Sequence, residues 1–82
     1  MTAYVLIQKR SDSQPVATTL RAMRGIVSAD DLSGPYDAIA VASASSARDL
    51  FDRVLPEIRE LPGVTQALPA PLVRAEDEGR AA

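Results

Sequence analysis

Apolar residues along this chain switch twice between a period of two and a period near 3.6. Ala3-Tyr4-Val5-Leu6-Ile7-Gln8-Lys9 is β-rich and apolar on both alternating faces. Tyr4 and Leu6 point one way, and Ala3, Val5 and Ile7 the other, which predicts a strand covered on both sides. Ser11-Asp12-Ser13 is polar and turn-like, and Ser13 is placed to cap a helix with Pro15 in its first turn. Val16, Leu20 and Met23 then recur at helical spacing with Arg21 and Arg24 outward, and Gly25 ends the helix. Ile26 to Asp30 reads as a second strand. Asp37 to Ala44 reads as a third, with Ala38, Ala40, Ala42 and Ala44 on one face and Ile39, Val41 and Ser43 on the other. An all-alanine face lets a neighbour approach the sheet closely, and the plain reading is a helix lying over it.

Ser45 and Ser46 precede a second helix as caps. Ala47, Leu50, Phe51, Val54, Leu55, Ile58 and Leu61 form its broad apolar stripe, while Arg48, Asp49, Arg53, Glu57 and Glu60 face water. Pro56 lies inside this pattern and removes a helical hydrogen bond, so a kink or short break is expected there. Pro62-Gly63 stops the helix. Val64 to Leu68 is the fourth strand, and Pro69 and Pro71 confine its continuation to an edge or an irregular extension. Residues 75–82 are charged and small and are expected to be disordered, which leaves one domain over residues 1–74.

The two halves repeat. Each runs strand, helix, glycine, strand, and the helix-ending Gly25 and Gly63 stand 38 residues apart. The order β-α-β-β-α-β is that of the α+β ferredoxin-like fold. Right-handed crossovers put both helices on one face of a four-stranded antiparallel sheet. The other face is then bare, yet the first strand is apolar on both sides and the third nearly so. A bare apolar face of this size calls for cover, and a second copy of the chain is the expected cover.

Composition narrows the function. Eighty-two residues bury only about 60–65% of their unfolded surface, so extra burial from another chain matters to stability. The chain has no cysteine and no histidine. Disulfides, thiolate metal sites and a cysteine nucleophile are excluded, and so is the commonest general base. A net charge of −2 is the wrong sign for direct phosphate-driven nucleic-acid binding. No signal peptide is visible, and no apolar run approaches the roughly 20 residues that a membrane helix requires. A soluble cytoplasmic domain is expected, with no membrane association, no metal, no cofactor and no catalytic residue.

The turn Ser33-Gly34-Pro35-Tyr36-Asp37 carries one of only two tyrosines and an acidic side chain. Loops held by a rigid scaffold are where binding function concentrates. The plainer reading is that Asp37 caps its own turn and Tyr36 packs on a neighbour.

Three motifs stand in order along the chain: Gly25-Ile26-Val27-Ser28-Ala29, Ser33-Gly34-Pro35-Tyr36-Asp37-Ala38-Ile39 and Leu61-Pro62-Gly63-Val64. Together they resemble the effector domain of the Lrp/AsnC regulators, often called the RAM domain, over roughly residues 3 to 73. Full-length members add an N-terminal helix-turn-helix. With a first strand beginning at residue 3, this chain is similar to the stand-alone form. The resemblance implies a dimer formed through the sheets as a dimeric α/β barrel, and further assembly into rings such as octamers. It implies small effectors, typically amino acids, bound between dimers near the turn joining strands two and three, and possible co-assembly with full-length regulators. The ligand-binding residues carried over are Gly34, Tyr36 and Asp37, with Thr65 and Gln66 from the last strand. An Asp carboxylate and nearby backbone groups suit a ligand ammonium or amide. Ala67 and Pro69 stand where family members commonly have threonines. Two other readings stay open: a small ferredoxin-like enzyme of monooxygenase or isomerase type using Tyr36, Asp37 or Tyr4, and a purely structural assembly subunit.

Overall fold

The computed structural model describes residues 1–71. The expected domain boundary at residue 74 and the tail 75–82 lie outside the described residues. The elements are β1 (Thr2–Lys9), α1 (Ala17–Arg21), β2 (Ile26–Asp31), β3 (Ala38–Ser43), α2 (Ala47–Asp49), a π-helical turn (Leu50–Val54), α3 (Leu55–Arg59) and β4 (Val64–Pro71). The strands form one antiparallel sheet in the order β2-β3-β1-β4, with the helices on one face, as the α+β ferredoxin-like fold requires.

Alternation along the strands places the core. Ala3, Val5 and Ile7 of β1, Ala38, Ala40 and Ala42 of β3, Ala29 of β2 and Ala67 of β4 turn to the helical side and are buried. Val16, Ala17, Leu20, Leu50, Val54, Leu55 and Ile58 close over them. Each fully buried Leu or Ile contributes about 1.5–3 kcal/mol of transfer energy. The alanines of β3 therefore lie under helices, as their pattern suggested. On the opposite face Tyr4 pairs with Val41 and Ala70, and Leu6 pairs with Ile39 and Leu68. Leu6, Ile39, Val41 and Leu68 are only half-buried and Tyr4 is 40% exposed, so an apolar sheet face stays open in the single chain.

The first helix is shorter than its periodicity predicts, and Ser13 does not cap it. It begins at Ala17 after an N-cap, Val16, that supplies no side-chain bond. Asp31, at the end of β2, caps it instead, its carboxylate accepting from the Ala17 N–H at 3.2 Å. Pro15 and the Ser11–Ser13 turn delay the helix, and tertiary contact supplies the acceptor that local sequence does not.

Pro56 does not break the second helical segment; a wider turn precedes it. Leu55 N–H reaches back to Leu50 O, a π-type bond, across Leu50–Val54. A proline at 56 has no N–H for Asp52 O, and its ring crowds that carbonyl, so a wider turn relieves the conflict. The change of pitch alters which side chains face the core. The wider turn brings residues five apart toward one face, and Leu50 and Leu55 are both fully buried. Phe51, which α-helical spacing would put in the stripe, is 49% exposed, and Ala47 is exposed as well. At the entrance Ser46 caps as expected, its hydroxyl accepting from Asp49 N–H at 3.0 Å. Asp49 reciprocates on Ser45 N–H, also at 3.0 Å.

Candidate functional site

The turn between β2 and β3 is fixed from both ends. Leu32 N–H donates to Asp37 O at 2.8 Å, closing the loop. Gly34, at φ +130, adopts backbone angles that a side chain resists, and nothing lies within 4 Å of where its Cβ would be. Asp37 docks the turn on the end of β1. Its N–H donates to Ile7 O at 2.8 Å, and its carboxylate accepts from Lys9 N–H at 2.8 Å. The Lys9 ammonium turns elsewhere, donating to Arg10 O at 3.3 Å and Ser13 O at 3.0 Å. Asp37 thus meets a main-chain N–H rather than a cation, with one carboxylate oxygen engaged. Tyr36 beside it is half-buried.

The last-strand candidates stand on the far side of β1. Gln66 pairs with Gln8 across the β1–β4 ladder, and Thr65 sits at the irregularity where the register shifts between Gln8 and Lys9. Thr65 and Gln66 are both exposed. The link between the two groups is Gln8, whose Nε2 donates to Pro35 O at 2.9 Å. Gln8 escaped the sequence reading because a lone polar residue at a strand end carries no motif. Strand alternation, which sets it on the open face with Tyr4 and Leu6, was the available signal.

Two concavities lie away from this turn. A cleft of about 410 Å³ between the Arg10–Val16 loop and Leu61–Gly63 is lined by Asp12, Thr19 and Pro62 among others. Its walls are tied by Arg10 N–H donating to Gly63 O at 2.8 Å. The Ser13 hydroxyl oxygen is inaccessible there and has no hydrogen-bond partner among the described residues. A second groove of about 560 Å³ is lined by Arg24, Asp49, Arg53 and Glu57. Arg53 grips Asp49 with two bonds of 2.7 and 2.9 Å, which hold that carboxyl well below the usual carboxylate range, with help from Ser45 N–H. The Asp49 carboxylate in turn pushes the Arg53 guanidinium up. Neither concavity includes a residue of the 33–37 turn. Among the described residues no three His, Cys, Asp or Glu side chains gather to hold a metal ion, and no helix is long and apolar enough to cross a membrane.

The fold is that of a small α+β ferredoxin-like domain. Residues 2–68 match the model of the Lrp/AsnC ligand binding domain, and the chain belongs to that family. No curated protein matches it. Among solved structures it is similar to TTHA0845 from Thermus thermophilus, with TM-score 0.78 and 28% identity over 90% of this chain and 94% of that one. It is also similar to FFRP-DM1, with TM-score 0.77 and 23% identity over 88% of this chain and 97% of that one. A third similar structure is the transcriptional regulator NMB0573 from Neisseria meningitidis, solved as an L-Met complex. There the TM-score is 0.77 and the identity 18%, over 90% of this chain but only 50% of that one. At these identities the last two report the fold alone.

Proposed function

We propose that this chain is an effector-binding and oligomerisation module. Its open sheet face packs on a second copy, and a small effector, an amino acid or a similar compound, binds beside the 33–37 turn. The observation that carries the reading is the apolar patch of Tyr4, Leu6, Ile39, Val41 and Leu68, left uncovered with the turn at one end of its strands. Gly34, Tyr36 and Asp37 present the ligand-facing loop, and Thr65 and Gln66 add polar capacity from the neighbouring strand. Dimers associate further into a ring, with the effector between them, and a full-length regulator of the same family is the transcriptional partner. The L-Met complex of NMB0573 supports starting from free amino acids. The family, a ligand-binding domain of regulators, supports a binding role over the enzymatic one.

Light scattering behind size-exclusion chromatography, with and without the twenty amino acids, tests this. A dimer or larger ring whose size or melting temperature shifts with one compound bears the reading out, and a monomer overturns it. A ring indifferent to every compound favours the structural-subunit reading, which one observation supports: Asp37 already spends a carboxylate oxygen on Lys9 N–H.

A further inference from the structure

Three consecutive residues of β1 hold the turn, each in a different way. Ile7 accepts from the Asp37 amide and Lys9 donates its own amide to the Asp37 carboxylate. Both act through the main chain at the base of the loop. Gln8 alone acts through a side chain, and it acts at the tip, where Nε2 meets Pro35 O. The tip has little else to fix it. Ser33, Gly34 and Pro35 are exposed, Gly34 has open space around it, and Pro35 has no N–H to offer. Among the described residues the Gln8 bond is the single hydrogen bond made by residues 33–36. A Gly-Pro tip without it would sample many conformations.

We propose that Gln8 is the positioning residue of this turn, and that its free amide oxygen, beside Gln66, selects a ligand that presents hydrogen-bond donors. The inference rests on the effector reading above and names a residue that it leaves open. Having given one N–H to Pro35, the Gln8 amide keeps its other N–H and Oε1, an acceptor. Gln66, directly across the ladder on the same face, carries a second carboxamide within reach, since such pairs stand about 5 Å apart at Cβ. The second oxygen of Asp37 is a third acceptor. The one ammonium nearby, that of Lys9, is committed to Arg10 O and Ser13 O. The carboxamides of this corner are neutral, its charged acceptor is the Asp37 carboxylate and its one ammonium is committed to main-chain carbonyls, so it suits a primary ammonium and disfavours a purely anionic compound.

Gln8→Leu and Gln8→Lys separate the two roles. Leucine removes both donor and acceptor; lysine keeps a donor long enough for Pro35 O but puts a positive charge where the acceptor was. The readouts are the backbone order parameters of Gly34 and Tyr36 by NMR, and the affinity for the strongest binder among the twenty amino acids by calorimetry. The expected result is a mobile tip in Gln8→Leu and an ordered one in Gln8→Lys. Affinity should fall roughly tenfold in both, the loss of about one net hydrogen bond. The acid lacking the ammonium should bind the wild type more weakly still. An unchanged tip in Gln8→Leu overturns the positioning role, and undiminished affinity in Gln8→Lys overturns the selection role. If the wild type binds none of the twenty, the effector reading and the selection role fail together, while the order of the tip still decides the positioning role.

Discussion

Arg21 and Arg59, 38 residues apart, perform the same task on opposite edges of the sheet. Arg21, in the last turn of α1, donates Nε to Ala29 O of β2 at 2.8 Å. Arg59, in the last turn of α3, donates Nη2 to Ala67 O of β4 at 3.0 Å. Ala29 and Ala67 are also 38 residues apart, and both are buried. The repeat seen in the glycines thus extends to a shared device: each helix ends on a cation that serves its dipole and occupies a carbonyl of an unpaired strand edge. Replacing either arginine with methionine should cost about 1 kcal/mol in urea unfolding. The two losses should add, because three strand spacings separate the sites by about 14 Å.

Gly63 is the tightest glycine. At φ +87 it holds a backbone conformation that side chains resist, and an added Cβ would run into the Ser13 side chain. Gly63→Ala should destabilise by about 1–3 kcal/mol. Ser13→Gly in the same chain should recover the steric share and leave the backbone share, a coupling that a double-mutant cycle reads directly. Ser13→Ala alone should be neutral or slightly stabilising, since it removes an inaccessible hydroxyl with no partner.

Asp49 sets part of the acid limit. Its folded-state pKa lies below the ordinary value of 3.8, so the unfolded chain takes up its proton more readily than the folded one. Its contribution to stability is full above about pH 4 and is lost as the pH falls toward the lowered folded value. Asp49→Asn should therefore flatten the decline of the melting temperature between about pH 4 and pH 2. It should leave a smaller, pH-independent loss from the weakened cap.

The open face provides a direct test of assembly. Leu6 sits at its middle, between Ile39 and Leu68. Leu6→Lys puts a charge where the proposed dimer would bury it, and light scattering should then report a monomer. Circular dichroism should report an unchanged fold, because Leu6 lies on the side away from the helices.

The core face and the open face were legible because alternation with period two has one answer once a face is apolar. Ala38, Ala40 and Ala42 announced their helices through size alone. The second helix misled at Phe51 because the pattern assumed 3.6 residues per turn, and Pro56 imposed a wider one. Ser13 misled because a local capping rule cannot see Asp31 arriving from the end of β2. At the candidate site Gly34 and Asp37 could be named from the turn chemistry and the resemblance. Gln8 could not, since its role exists only where β1 passes the tip of a loop 27 residues later.

The first strand of the domain is also one of its two inner strands. β1 pairs with β3 from Ala3↔Ala42 to Ile7↔Ala38 and with β4 from Ala3↔Pro71 inward. Its pairings run from Ile7↔Ala38 to Ala3↔Pro71, so both of its neighbours are distant in sequence. Folding of this domain is governed by closure of these long loops and is slower than its small size alone would give.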